Sequence, residues 1–223
     1  MPADVTADKV WDASLNGDNS VIAYYTVNSD TSLYNVVIGR YGKVQFPTNS
    51  LYLFRNYTKL KTISFGDYID TTKVTNMHSM FSNCSNLENF DINRFDTHEV
   101  TSMSYLFYKC VGLTNLDLGN FDTSNVMNMK YMFSGCSNPV TLNLSSFTNQ
   151  ISVDHGIITQ TTSMIYRCSK LEELHLEKWN FAGDGDTTID MAGIPKTENV
   201  YISKEQVNNF NAFSGYECNI IGV

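Results

Sequence analysis

Long apolar runs are missing from this chain of 223 residues. No stretch approaches the roughly 20 consecutive apolar residues that a transmembrane helix needs. The first residues, MPADVTADKVWD, carry neither the basic start nor the apolar core of a signal peptide. The sequence therefore predicts no membrane insertion, and it predicts an extracellular or cell-surface location only for a mature fragment of an exported protein.

Basic residues are also scarce. Lys and Arg number 15 against 23 Asp and Glu, which gives a formal net charge of −8. No cluster of Lys and Arg stands out, and nucleic acid is not expected as a partner because its phosphates need a basic surface. With 42% apolar and 17% charged residues, the composition is typical of a folded protein with a substantial core.

Catalytic motifs are absent as well. The chain has no G-x-S-x-G, H-E-x-x-H, Walker A or Rossmann fingerprint. Its four histidines, His78, His98, His155 and His175, have no evident Ser or Cys partner and are interpreted as exposed polar residues. The sequence therefore predicts no enzymatic activity and no cofactor. An enzyme remains the third alternative, and it would need a deep pocket lined by titratable groups with shifted pKa values.

The cysteines do not have the spacing of a zinc site. Cys84, Cys110, Cys136 and Cys168 share one position of an internal repeat, and Cys218 stands apart. The favoured interpretation is a column of small buried apolar side chains. The alternative is a disulfide between neighbouring repeats, since positions in register on paired strands lie about 4.8 Å apart.

A complete calcium-binding loop is missing too. The Gly-rich stretch AGDGDTTID holds Asp184, Asp186 and Asp190, but the Glu-terminated pattern of 12 residues is absent. A solvated loop is favoured and calcium binding is the alternative, so no metal site is predicted.

A repeat of 26 residues is the main feature that is present. Three clear copies begin at Met77, Met103 and Met129, and SMIYRCSKLEELHLEKWNF is a fourth. An earlier, degenerate copy starts at Ser50. The fourth cysteine follows the third after 32 residues, which places about six extra residues around 151–160. Such periods indicate a stacked repeat architecture of about five coils.

Each copy combines two apolar patterns. In L-x-x-L-x-L-x-x-F, Leu116 and Leu118 alternate inward as on a short strand. In V-x-x-M-x-x-M-F, the apolar residues recur at near-helical spacing, and residues 122–125 form a polar turn between the two patterns. The sequence predicts an α/β fold, a right-handed leucine-rich-repeat-type solenoid. One face carries a parallel sheet, and the opposite, Met-rich side carries short helices or turns.

The predicted strands of this sheet follow one another along the repeats. They are centred on Ile63–Phe65, Phe90–Ile92, Leu116–Leu118, Leu142–Leu144 and Leu174–Leu176. One aromatic residue per repeat is expected to form a buried column, namely Tyr68, Phe95, Phe121, Phe147 and Trp179.

The ends are predicted to cap the array. Residues 1–49 form an N-terminal cap whose strands, Val21–Thr26 and Leu33–Ile38, make a hairpin. Residues 50–181 form the solenoid. Residues 182–223 form a C-terminal cap with a last strand at Asn199–Ile202 and a helix from Ser203 to about Phe213.

Two surfaces are candidates for binding. The Met-rich side presents a column of tyrosines, which are enriched at interfaces: Tyr52, Tyr105 and Tyr131. The outward strand positions, called the sheet face, are small, polar and mildly acidic, and Trp, Tyr and Arg are missing from them. Their candidate contact residues are Asp91, Asp117, Glu173, His175 and Glu177. The tyrosine column is favoured, because aromatic area contributes more to binding than small polar side chains do.

The strings NFDTSNVMNMKYMFSGC and LNLSSF resemble the BspA-like leucine-rich-repeat surface proteins, known for a Mycoplasma and Lactobacillales lipoprotein-associated repeat. The resemblance covers about Ser50 to Phe181. It implies an exported or surface-attached bacterial protein that acts in adhesion, and it carries no shared catalytic motif. The expected function is therefore a non-catalytic module that binds a protein or glycan on another surface. The alternative is a structural or decoration component of a phage virion or another assembly, with the virion as its location.

Overall fold

The protein is described from a computed structural model. The structure describes residues 9–12, 22–27, 31–38, 44–65, 69–88, 92–114, 116, 118–149, 151–152, 157–180, 193, 195–196, 198–209 and 218–223. Among these residues, none belongs to a helix with the length and apolar character that a membrane crossing requires.

The described residues form short strands, turns and a single-segment 3-10 helix at Lys204–Asn209. The strands are β1 (Lys9–Asp12), β2 (Ile22–Val27), β3 (Tyr34–Ile38), β4 (Val44–Gln45), β5 (Leu60–Ser64), β6 (Ile69–Asp70), β7 (Thr141–Asn143), β8 (Ile151–Ser152), β9 (Ile157–Ile158), β10 (Glu173–His175), β11 (Asn199–Ile202) and β12 (Asn219–Gly222).

The N-terminal sheet has the strand order β1-β2-β3-β5. Strands β1 and β2 pair antiparallel, and so do β2 and β3, which confirms the predicted hairpin. Strand β5, in the first repeat, pairs parallel with β3, with Val36 opposite Ile63. The hairpin therefore continues the hydrogen bonding of the first repeat and covers its edge.

The C-terminal sheet has the order β12-β11-β10-β7, and every pair in it is parallel. Leu142 lies opposite Leu174, which lies opposite Val200, and Val200 lies opposite Ile220. Val200 comes 26 residues after Leu174, so the repeat register continues into β11, within the segment predicted as a cap.

Three of the five predicted strands are present as β5, β7 and β10. Of the other two, Ile92, Leu116 and Leu118 are described but lie outside strands, while Phe90 and Asp117 lie outside the described residues. Strand β5 also belongs to a different sheet from β7 and β10. The continuous sheet of five strands and the right-handed solenoid therefore stay predictions.

The Met-rich side is built from turns in the described repeats, and not from short helices. Parallel bridges join each repeat to the next at one position of these turns: Asn49, Asn76, Ser102, Asn128 and Gln160. In the second copy, alternate N–H groups from Met77 to Asn83 donate to carbonyls of the following repeat at 2.7–3.0 Å. The N–H groups between them, and that of Cys84, donate to the carbonyl three residues back at 3.1–3.2 Å.

This alternation requires left-handed backbone every fourth residue. In the second copy Ser79 and Asn83 have φ of 54° and 60°. A non-glycine residue in this region costs about 1–2 kcal/mol. The interval that looks helical in V-x-x-M-x-x-M-F thus belongs to a strained turn, whose outward N–H groups are satisfied by the next repeat.

The core lies between the turns and the strands. One phenylalanine per repeat stacks on its neighbour through Phe54, Phe81, Phe107 and Phe133, with ring centroids 5.2–5.8 Å apart. The predicted aromatic column is buried where it is described, at Phe95, Phe121, Phe147 and Trp179. Tyr68 lies outside the described residues.

The four repeat cysteines are buried and free, as the column of apolar side chains predicts, and the alternative of a disulfide between repeats is wrong. Each of the first three thiols donates a hydrogen bond, 3.0 Å long, to a phenylalanine carbonyl of the preceding repeat. Burial raises the pKa of Cys84 to about 12, and it raises the pKa of Cys110, Cys136 and Cys168 as well. These thiols are therefore structural groups, which stay protonated at neutral pH.

The predicted polar turn at residues 122–125 is exposed only in part. Asp122 accepts the Ser124 N–H at 2.9 Å, as turn chemistry predicts, but Thr123 is buried. The buried threonine recurs, as Thr71 and Thr97, because its hydroxyl bonds both backbone groups of one residue in the next repeat. Thr97 donates to the Asp122 carbonyl at 2.9 Å and accepts the Asp122 N–H at 2.8 Å.

Substitution of Thr97 by valine is expected to lower the free energy of unfolding by about 1–3 kcal/mol, because both backbone groups of Asp122 lose their partner. Urea unfolding measures the change. Thr97→Ser keeps the hydroxyl and should lose much less. Equal losses in the two variants would show that the methyl group, and not the hydroxyl, matters at this position.

The predicted C-terminal α-helix is wrong over its described part. Residues Lys204–Asn209 form a 3-10 helix, while residues 210–217 lie outside the described residues. Strand β12 then returns beside β11 and adds a further parallel strand, which the sequence did not predict.

Candidate functional site

The tyrosines of the Met-rich side occupy strained backbone positions. Tyr52, Tyr105 and Tyr131 have φ of 61°, 58° and 56°, and they stand at the same place in three turns. Their N–H groups donate to the following repeat at 2.9–3.1 Å, which holds the backbone in this conformation. A bulky residue with positive φ is rare and points to a position where the side chain has a role besides packing.

The side chains form a continuous row, which we call the Tyr–His ladder: Tyr52, His78, Tyr105 and Tyr131. The rings of Tyr105 and Tyr131 stack, with centroids 4.7 Å apart and planes at 20°. His78 lies edge-on between Tyr52, at 5.2 Å, and Tyr105, at 5.6 Å. Tyr52 is 44% exposed, and Tyr105 and Tyr131 are half-buried. The predicted tyrosine column is therefore accessible.

His78 is the member of this ladder that the sequence did not reveal. It was interpreted as an exposed polar residue, but it is half-buried, and its Nδ1 lies 2.6 Å from the Ser104 hydroxyl oxygen. Burial, and then the nearby Arg55 guanidinium, lower the pKa of His78. The imidazole is therefore neutral at physiological pH and contributes an aromatic surface between the tyrosines.

The rest of the ladder is also uncharged at neutral pH. Burial, followed by the neighbouring phenols of Tyr131 and Tyr108, raises the pKa of Tyr105. The Arg55 guanidinium lies 4.9 Å from the Tyr52 ring centroid and brings a cation to one end of the row. The ladder thus offers flat aromatic area, phenol hydroxyls and a cationic end, and none of these groups is arranged for proton transfer.

The sheet face is less polar than predicted at its C-terminal end. Glu173, His175 and Glu177 lie there as expected, and His175 Nδ1 is 2.8 Å from the Glu177 carboxylate. Tyr201, on β11, stands opposite His175 in register, and the two rings stack at 4.3 Å. The prediction that tyrosine is missing from this face is wrong, because the repeat register extends one strand beyond the recognised copies.

The remaining candidates form no site among the described residues. Asp91, Asp117, Asp184, Asp186 and Asp190 all lie outside them, as does His155. His98 is exposed and pairs with Asp96 in its own turn. Within the part of the chain that the structure describes, no group of three His, Cys, Asp or Glu side chains could hold a metal ion.

The fold and this surface define a repeat protein whose turns present a ladder of aromatic rings. The sequence family described as Mycoplasma protein of unknown function, DUF285, matches residues 48–179. The match spans more than half of the chain, and the chain belongs to this family. No curated protein and no solved structure matches it.

Proposed function

We propose that the protein is a non-catalytic binding module of the BspA-like surface-protein type, in which a leucine-rich-repeat-type solenoid presents the Tyr–His ladder to a protein or glycan on another surface. The accessible ladder is the observation that carries the proposal. The family match supports the repeat architecture, while the adhesion role and the cell-surface location rest on the resemblance to BspA-like proteins.

The chemistry of the ladder suits recognition. Tyrosine contributes contact area with only two side-chain torsions to fix, so ordering it on binding costs little entropy. Stacking between Tyr105 and Tyr131 already restricts both rings before a ligand arrives. The hydroxyls remain available for hydrogen bonds, and together these features match the aromatic anchors that dominate many interfaces.

The proposal is tested with an array of glycans and of host and bacterial surface proteins, followed by titration of the strongest partner. Replacing Tyr105 or Tyr131 with alanine should each weaken binding about 5- to 30-fold, the effect of losing an anchor worth about 1–2 kcal/mol. Tyr105→Phe should retain most of the affinity if the stacked ring is what binds.

Asp91→Ala is the comparison on the sheet face and should change the affinity little. The opposite outcome, with Asp91→Ala weakening binding and both tyrosine variants leaving it intact, would transfer the proposed site to the sheet face. Circular dichroism on every variant separates loss of contact from loss of fold.

A further inference from the structure

A second surface runs along the repeats beside the ladder. It is a groove of about 850 Å³, which we call the basic groove. One wall uses the second left-handed position of successive turns, where φ lies between 56° and 81°, and consists of Asn56, Asn83, Lys109, Gly135, Arg167 and Gly193. The groove therefore crosses six consecutive turn positions and is long and shallow.

The charge of this groove is opposite to that of the whole protein. The chain has a net charge of −8, yet the groove lining includes the cations of Lys109 and Arg167 and no carboxylate. Neither cation forms an ion pair with a described residue. Lys109 Nζ lies 5.1 Å from the Tyr108 ring centroid, and Arg167 Cζ lies 5.0 Å from that of Tyr166. Both cations are thus held in place by a ring and free of a counter-charge.

Cations and glycines alternate along this wall. A Cβ on Gly135 would lie 3.1 Å from Lys109 Cγ, and a Cβ on Gly193 would lie 3.0 Å from Arg167 Cγ. Each cationic stem therefore lies against the bare backbone of the following repeat. Adjacent members are joined by backbone hydrogen bonds of 2.7–2.9 Å, so the two cations are separated by two ladder steps, about 10 Å.

The opposite wall is lined mainly by small hydroxyl groups. Ser85, Ser137 and Ser169 recur there at the repeat interval, and on the first wall the Asn83 amide donates to the Asn56 amide oxygen at 3.0 Å. Hydroxyls and amides both donate and accept hydrogen bonds, as sugar hydroxyls require. The groove is shallow and lacks the separate apolar pockets that select the side chains of an extended peptide.

We propose that the basic groove binds a linear acidic polysaccharide that carries a carboxylate on every second sugar. Lys109 and Arg167 would contact successive carboxylates, and the hydroxyl and amide side chains would contact the neutral sugars between them. The proposal goes beyond the proposed function, because it places a second ligand on residues outside the Tyr–His ladder.

The test measures binding of hyaluronan oligosaccharides, in which glucuronate and N-acetylglucosamine alternate, to the whole protein by calorimetry at low salt. The double variant Lys109→Gln/Arg167→Gln should weaken binding at least about tenfold, equivalent to about 1.4 kcal/mol. Ser137→Glu, which places a carboxylate in the groove, should weaken it further, and added salt should weaken wild-type binding. Lys73→Gln/Lys178→Gln removes the same net charge outside the groove and should retain the affinity.

The remaining outcomes overturn the proposal. No binding of hyaluronan by the wild type excludes the ligand class. Equal affinity for neutral chitin oligosaccharides means that the carboxylates are not recognised, and equal affinity for polyglutamate means that charge alone is recognised. Tyr105→Ala serves as the cross-check: if it removes hyaluronan binding while the groove variant does not, the sugar binds the ladder and the proposed function stands without the groove.

Discussion

Replacing Phe121 with alanine is expected to lower the free energy of unfolding by about 3–5 kcal/mol, the usual cost of emptying a buried aromatic site. Phe121 is 2% exposed and stacks on Phe147 of the next repeat, with ring centroids 6.3 Å apart and parallel planes. Its removal therefore leaves a cavity at the junction of two repeats. The two stacked backbones limit how far that cavity can collapse. Chemical denaturation measures the loss.

Two comparisons interpret this result. Phe121→Leu keeps most of the apolar volume and should lose clearly less than alanine does. Tyr57→Ala truncates an aromatic ring that is 54% exposed and should stay within about 1 kcal/mol of the wild type. A Phe121→Ala variant as stable as the wild type would contradict the buried position of this ring.

Replacing Glu198 with glutamine is expected to remove a strong pH dependence of stability. Glu198 is fully buried immediately before β11, and none of the described residues offers a hydrogen-bond partner to its carboxyl oxygens. Burial raises the pKa of this carboxyl from 4.5 to about 8. The neighbouring thiols of Cys168 and Cys218 stay protonated, because burial raises their pKa values too.

The direction of the effect follows from proton binding. Below about pH 4.5 the carboxyl is protonated in both the folded and the unfolded states, and its ionisation costs the fold nothing. Between that pH and about 8, the unfolded chain loses the proton and the folded chain keeps it, so stability falls as pH rises. Above about pH 8 the loss is complete. Its upper limit is about 4–5 kcal/mol, at 1.36 kcal/mol for each pKa unit.

Unfolding free energies measured from pH 4 to pH 9 test this expectation. The wild type should lose stability across the interval, Glu198→Gln should lose much less, and the variant should be the more stable protein at pH 9. Glu205→Gln, at an exposed position of the 3-10 helix, should reproduce the wild-type slope. Parallel curves for wild type and Glu198→Gln would show that this carboxyl is solvated.

Apolar periodicity was sufficient to find the core. Met77, Met80 and Phe81 are all buried, because a repeated interior selects the same side chains at the same interval. The backbone that carries them was not predictable in the same way. Their spacing equals that of a helix, and the left-handed positions between them are occupied mostly by Ser, Tyr, Asn, Lys and Arg instead of glycine, so the usual sequence signal of positive φ is absent.

The same reasoning explains which parts of the site were missed. The tyrosine column was visible because Tyr105 and Tyr131 share a residue type at the repeat interval. His78 was not, because Ser79 holds that position in its repeat and the imidazole comes from the residue before it. The basic groove is marked by a shared backbone conformation with different side chains, and a comparison of side chains alone cannot detect it.

The parallel bridges between turns depend on backbone groups, not on which side chains the turns carry. They pass from Asn128 to Gln160 across a step that is six residues longer than the others, so an insertion between repeats does not interrupt them. Duplication or loss of one complete unit would likewise present an unchanged hydrogen-bonding edge to its new neighbour. Genes for such proteins can therefore vary in length by recombination between repeats, which alters the reach of the molecule while conserving the chemistry of each contact.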